Sequence, residues 1–321
     1  MNIALREAYP HSCRAMGALR CFFLTAGLVA ATGPGRALAS PPELELTHAW
    51  SVEGPAHLQT SGLALRDGVF YTVSDRHSDT VFRLEFSDDQ VARAVVAVTF
   101  TGPTPYPEIG YLDLEGIALA PDGGFYVASE WGLAIAHVPS GGGTAEWVTP
   151  NVRTAGATTG LFATRDAFVE GVAVLGDDWF LLAAERQPRG LVEVAGGRVP
   201  RRVGVQQMDA SRYPIPAGRS FDFADLYVWQ GRVFALARNQ HLVVELRRDE
   251  TGAWAEGDAW SYAETENAAP YRYVDMTFGQ GEGLAIDEHS IYVILDNNEQ
   301  SRAGHPDDKR SWLFAFRNPI H

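Results

Sequence analysis

The sequence predicts an all-β fold made of repeated four-stranded units, and three observations point there. A strand–turn–strand unit occurs five times, each occurrence is followed by one or two further β-rich runs, and no amphipathic helical stretch stands out after residue 39.

The repeated unit is easiest to see in its own letters. Residues 61–75 read SGLALRDGVFYTVSD, 115–130 EGIALAPDGGFYVASE, 170–185 EGVAVLGDDWFLLAAE, 224–238 ADLYVWQGRVFALAR and 282–296 EGLAIDEHSIYVILD. Successive starts lie 54 to 58 residues apart. Each copy alternates apolar and polar residues, is rich in β-branched and aromatic side chains, and turns at Gly or Asp, which is strand and hairpin chemistry. Third strands are expected at 80–86, 133–138, 191–194, 241–246 and 312–316, and fourth strands at 91–100, 144–148, 198–205 and 253–262.

The fifth copy runs out after its third strand, while residues 44–52 (LELTHAWSV) form a strand ahead of the first hairpin. The economical solution is a β-propeller of five blades, four strands each, with the N-terminal strand completing the last blade. Six blades is the alternative.

Residues 1–39 read as a secretory leader. Arg6, Arg14 and Arg20 precede the apolar stretch 21–32, and Ala37-Leu38-Ala39 supplies a cleavage site before Ser40. The apolar stretch is too short to span a bilayer, which takes roughly 20 residues. The expectation is a periplasmic or secreted protein with no membrane span after cleavage, residues 40–321 forming one propeller domain and acting as a monomer. The whole chain carries 26 basic and 40 acidic residues. Losing Arg6, Glu7, Arg14, Arg20 and Arg36 leaves 22 basic and 39 acidic, a formal charge of −17. Such a surface disfavours nucleic acid. Cys13 and Cys21 depart with the leader, so the mature chain has no disulfide or thiol chemistry, and Lys309 is the sole lysine.

The hairpins place acids in a pattern. The first strand of a blade lines the channel and the second runs antiparallel beside it, so the start of one and the end of the other share a face. Glu115 should lie near Glu130, Glu170 near Glu185, Glu282 near Asp296, and Ser61 near Asp75, all at one mouth of the channel; the fourth copy breaks the pattern with Ala224, Asp225 and Arg238. Carboxylates so gathered need compensation. A bound Ca²⁺ with Asp75, Glu115, Glu130, Glu170, Glu185, Glu282 and Asp296 as oxygen ligands is one form of it. Pairing with Arg76, Arg186 and Arg238 is another, and open solvation a third. Loops on the same face carry Tyr106, Tyr111, Asp113, Arg219, Asp222, Arg272 and Tyr273, a mixture suited to an anionic or sugar-like ligand. No histidine spacing fits a zinc site, no G-x-S-x-G elbow occurs, and no phosphate-cradling glycine loop opens a helix.

The runs LEGIALAPDGGFYVASE (114–130), VEGVAVLGDDWFLLAAER (169–186) and GEGLAIDEHSIYVILDNN (281–298) resemble the phytase-like family, to which an esterase-like activity of phytase is attributed, and are similar to the SdiA-regulated propellers. The resemblance covers roughly residues 55–318. It implies an exported propeller, often with calcium, that hydrolyses a phosphate or other ester, with Glu115, Glu170, Glu185, Glu282 and Asp296 as its acidic half. A looser likeness to calcium-dependent lactonase propellers groups Glu282, Asp296, Asn297 and Asn239. Two classes of function follow. One is a metal-dependent hydrolase of a small ester or anionic ligand, in which the ring acids hold the cation, Glu282 takes part in the chemistry and Arg219, Arg238 or Arg272 orients the anion. The other is a non-catalytic propeller that binds a glycan, a peptide or an envelope protein through the same face.

Overall fold

In the computed structural model, residues 40–87 and 90–321 are described, and the expectation of a leader in 1–39 lies outside that range. Twenty-one strands are formed: β1 (Leu46–Glu53), β2 (Thr60–Arg66), β3 (Val69–Ser74), β4 (Thr80–Phe86), β5 (Val91–Thr101), β6 (Leu114–Leu119), β7 (Phe125–Ser129), β8 (Ala134–Val138), β9 (Gly143–Thr144), β10 (Glu146–Trp147), β11 (Val169–Gly176), β12 (Trp179–Ala184), β13 (Gly190–Ala195), β14 (Arg202–Gln207), β15 (Asp225–Trp229), β16 (Arg232–Ala237), β17 (Leu242–Arg248), β18 (Trp254–Ser261), β19 (Gly281–Ile286), β20 (Ser290–Leu295) and β21 (Ser311–Arg317). Among the described residues two short α-helices join the strands, α1 (Arg153–Ala157) and α2 (Ala263–Glu266). No helix of the described residues is long and apolar enough to cross a membrane.

The strands form a β-propeller of four-stranded sheets. Three stand apart, in the orders β10-β8-β7-β6, β11-β12-β13-β14 and β15-β16-β17-β18. The remaining strands run β19-β20-β21-β1-β5-β4-β3-β2, two four-strand sets joined where β1 and β5 touch in parallel. β1 adds to β21 antiparallel, from Leu46 opposite Phe316 to Val52 opposite Ser311. The N-terminal strand thus supplies the fourth strand that the last repeat lacks. Turn chemistry sets the hairpin register: Asp67-Gly68 and Gln230-Gly231 each place two successive residues at positive φ, the mirror-image turn that suits strand twist. The fourth strand of the second repeat shrinks to Glu146–Trp147, after the glycine run 141–143.

Apolar side chains fill the junctions between neighbouring sheets. Leu226 and Val244 pack with Ala173 and Leu181 at one, and Ile117 and Val127 with Ala64 and Val73 at another. Each Leu, Ile or Val side chain so removed from water contributes roughly 1.5–3 kcal/mol.

The inner strands approach closely around the axis, in a closed cycle β2, β6, β11, β15, β19 and back to β2. Glycine permits this. A Cβ on Gly116 would lie 2.7 Å from the Glu170 carbonyl oxygen, and one on Gly283 would lie 2.5 Å from the Gly62 backbone. The E-G signature is therefore a packing requirement at its second letter. In the fourth repeat this position is Asp225, and its fully buried carboxylate bonds across the axis. Oδ2 accepts the N–H of Leu284 (2.9 Å) and of Leu63 (3.4 Å), and Oδ1 that of Leu226 (2.8 Å). One side chain thus ties three inner strands together. Asp225→Ala leaves the Leu63 and Leu284 donors without an acceptor and should cost about 1–3 kcal/mol in chemical denaturation. An unchanged midpoint would show that water replaces the carboxylate.

Candidate functional site

Above Asp225 the channel opens into a cavity of 520 Å³ lined by ten carboxylates and three arginines. All seven expected metal-ligating residues line it, Asp75, Glu115, Glu130, Glu170, Glu185, Glu282 and Asp296, together with Asp113, Asp166, Asp275, Arg76, Arg186 and Arg238. The hairpin geometry that predicts a shared mouth is therefore present.

The grouping within the mouth keeps one expected pair, Glu170 with Glu185, and otherwise departs from pairs within one hairpin. Oxygens of Asp75, Asp113 and Glu115 form one group within 4.8 Å, and oxygens of Glu130, Glu170 and Glu185 form a second. Both groups cross repeat boundaries. The cause is a register shift at each E-G step, where Leu114 faces Ser129 but Gly116 faces Ala128, and Val169 faces Ala184 but Val172 faces Leu182. Such bulges re-aim a side chain. The register consequently sets Glu130 opposite Asp113, whose carbonyl accepts the Glu130 N–H at 2.8 Å. The Glu130 carboxylate then reaches the next repeat and accepts the Phe168 N–H at 3.0 Å.

Glu282 and Asp296 belong to neither group. Glu282 accepts a hydrogen bond from Arg238, and Asp296 accepts the Asn298 N–H at 2.8 Å. Their placement in one ligand set with Asn239 and Asn297 is not seen either. Asn239 donates to the Ser220 carbonyl and Asn297 to those of Gln300 and Lys309, so both side chains tie loops.

The three expected anion-orienting arginines lie in different surroundings. Arg238 is in the cavity, but its three guanidinium nitrogens are committed to Asp222 (3.0 Å), Glu185 and Glu282. It is the counter-ion of the ring and is not free for a ligand. Arg219 does not line the cavity. It donates to the carbonyls of Thr277 (3.0 Å), Met276 (2.7 Å) and Asn239 (3.2 Å) and meets the His241 ring at 2.6 Å, so it props the segment that brings Asp275, Phe278 and Gln280 to the rim. Arg272 is exposed and outside the cavity wall. The arginines that do line it besides Arg238 are Arg186, paired with Glu185, and Arg76, beside Asp75 at 3.3 Å.

Sequence reasoning placed Asp113 and Asp222 only among the loop residues. Both lie two positions ahead of the residue that opens the repeat, where the five copies read Gln59, Asp113, Phe168, Asp222 and Gln280. Extending the repeat two residues upstream exposes a polar position in four of five copies.

Electrostatically the mouth is strained. Burial first, then the Asp296 charge, pushes Asp75 up to about 7. Burial and the Glu170 and Asp113 charges push Glu130 up to about 9. Burial pushes Glu170 up to about 7 although Arg238 and Arg186 oppose it, and Asp296 to about 6. Glu115 is raised well above the ordinary carboxylate range by burial and by Glu170, Asp113 and Asp75. Three oxygens at the site, Asp75 Oδ1, Glu185 Oε2 and Gln280 Oε1, are buried with no hydrogen-bond partner. The oxygen-only donor set and these orphaned acceptors fit a hard divalent cation of the calcium type.

The fold is shared with solved proteins at low identity. Glutaminyl cyclase of Myxococcus xanthus aligns with TM-score 0.53 and 12% identity, over 87% of this chain and 98% of that one. The PQQ-bound aldose sugar dehydrogenase of Streptomyces coelicolor aligns with TM-score 0.45 and 16% identity, over 87% and 100%. A streptogramin B lyase aligns with TM-score 0.41 and 10% identity, over 85% and 74%. No curated protein matches the chain. The family model described as phytase-like, esterase-like activity of phytase, matches residues 59–299. With three-quarters of its length so matched, the chain belongs to the phytase-like family.

Proposed function

We propose that this propeller binds a divalent cation, calcium by preference, among the channel-mouth carboxylates and hydrolyses an ester there. The observation that carries the reading is the pair of three-carboxylate groups, Asp75/Asp113/Glu115 and Glu130/Glu170/Glu185, packed into one cavity with too few arginines to balance them. Membership of a family described by an esterase-like activity supplies the reaction class. A cation held by these groups would supply Lewis acidity toward an ester carbonyl and make water a better nucleophile near neutral pH.

The side chains of the protein have separable parts in this reading. Asp113, Glu115, Glu130 and Glu170 hold the cation, since none of them forms a direct ion pair with an arginine among the described residues. Arg238 fixes Glu185, Glu282 and Asp222 in place. Glu282 is thereby a positioning partner of Arg238 and not a group free to act on substrate. The reaction adds water across the ester C–O bond and releases an acid and an alcohol. A carboxylic ester or lactone suits the cavity better than a phosphate ester, because each arginine lining it already meets a carboxylate and the surrounding acids repel added negative charge.

The test is turnover of small carboxylic esters, lactones and phosphate esters by the calcium-loaded protein, before and after chelation. Glu130→Gln and Glu170→Gln should each lower carboxylic ester turnover at least about tenfold at fixed calcium, one lost ligand contact being worth about 1.4 kcal/mol or more. Turnover that survives both chelation and the double substitution would remove the cavity from the chemistry.

A further inference from the structure

Beside the acidic cavity runs a groove of 780 Å³ whose walls carry three aromatic rings and three prolines, with Glu108, Asn151 and Arg198 among the polar remainder. Its principal lining is Tyr106, Ile109, Trp131 and Trp147, with Pro105 and Pro150. Trp131 also lines the carboxylate cavity, so the two spaces share a wall. Tyr106 and Ile109 stay 41% and 44% exposed on the same loop, so together they present an apolar face to solvent at the groove.

The groove is built and held. The Trp147 indole N–H donates to the Pro105 carbonyl at 2.9 Å, which pins the loop over β10. Trp131 packs edge-on against Phe168 at 5.5 Å and against Tyr111 at 6.2 Å. At the other end of the loop, the Leu112 N–H donates to Ser78 Oγ at 3.0 Å. Walls fixed in this way lose little freedom when a ligand enters.

We propose that this groove is the subsite for an aromatic ring on the substrate, and that the protein selects esters of aromatic alcohols over those of short alkyl alcohols. The inference rests on the reading of the neighbouring cavity as an ester site. Its independent support is the change of chemistry across Trp131: ten carboxylates and three arginines line the cavity, whereas three aromatic rings, three prolines and Ile109 line the groove beside a single acid, Glu108, and a single arginine, Arg198. Flat apolar walls stack a planar ring, and continuity through Trp131 places that ring beside the carboxylate groups.

Two measurements test it. Equilibrium dialysis with 2-naphthol reads the groove without any turnover, using chelator-treated and calcium-loaded protein. Binding should be present in both states and weaken about tenfold in the Tyr106→Ala/Ile109→Asp double variant, the loss of one apolar contact face being worth about 1.4 kcal/mol. The second measurement is the ratio of kcat/KM for 2-naphthyl acetate to that for ethyl acetate, which should fall about tenfold in the same variant. Both side chains are substantially exposed, so the variant should melt as the parent does. Naphthol binding that is absent, or unaltered by the substitutions, overturns the groove assignment. Naphthol binding that weakens as expected while no ester is turned over supports the groove as an aromatic site and overturns the hydrolase reading alone.

Discussion

Arg238→Met is expected to destabilise the protein by about 3–5 kcal/mol near neutral pH, the cost of stripping the counter-ion from buried charges. Arg238 is the common partner of Asp222, Glu185 and Glu282, and each of those carboxylates is more than nine-tenths buried. Methionine preserves much of the aliphatic volume, so the loss reports charge more than packing. Denaturant unfolding at neutral pH measures it. The deficit should shrink on acidification, because protonated carboxyls no longer need the guanidinium. A loss below about 1 kcal/mol, typical of an exposed pair, would mean that the ring is balanced by other means.

The second large effect is a pH dependence that the cation counteracts. Asp296 titrates at about 6, Asp75 and Glu170 at about 7 and Glu130 at about 9, with burial the leading cause in each. In the unfolded chain such groups titrate near 4. Between those limits the folded state holds more protons than the unfolded one, so the stability of the cation-free protein falls as pH rises from about 4 toward 9. Each proton involved contributes a slope of up to about 1.4 kcal/mol per pH unit. A cation needs the deprotonated carboxylates, so the stabilisation it adds grows over the same range. Thermal melts in chelator should therefore be lower at pH 9 than at pH 5.5, and millimolar calcium should raise the pH 9 melt far more than the pH 5.5 one. Parallel curves with and without calcium would separate the acids from metal binding.

Much of this was legible in the sequence, for identifiable reasons. Two-residue alternation and the turns Asp67-Gly68 and Gln230-Gly231 mark hairpins without tertiary information. A leftover strand at one end and a missing strand at the other imply the β1–β21 pairing. The acids at the ends of the hairpins identify the mouth of the channel. What sequence spacing does not encode is where long side chains end. Arg219 reaches a neighbouring loop and becomes a strut, and Arg238 turns inward to three carboxylates. At the bulges Glu115-Gly116 and Glu170-Gly171 the acids also meet Asp75 and Glu130 of the preceding repeats, a proximity no alignment of the copies reveals. The aromatic groove was hidden for a different reason, since Tyr106, Trp131 and Trp147 come from three separate segments that only the fold assembles.

The central claim is that the carboxylate groups hold a divalent cation, and calorimetric titration of calcium into chelator-treated protein at pH 8 tests it most directly. The account predicts saturable binding to at least one site, lost when Glu130 and Glu170 are both replaced by Gln. No binding of calcium, magnesium or manganese would contradict it, leaving a ring closed by Arg76, Arg186, Arg238 and bound protons.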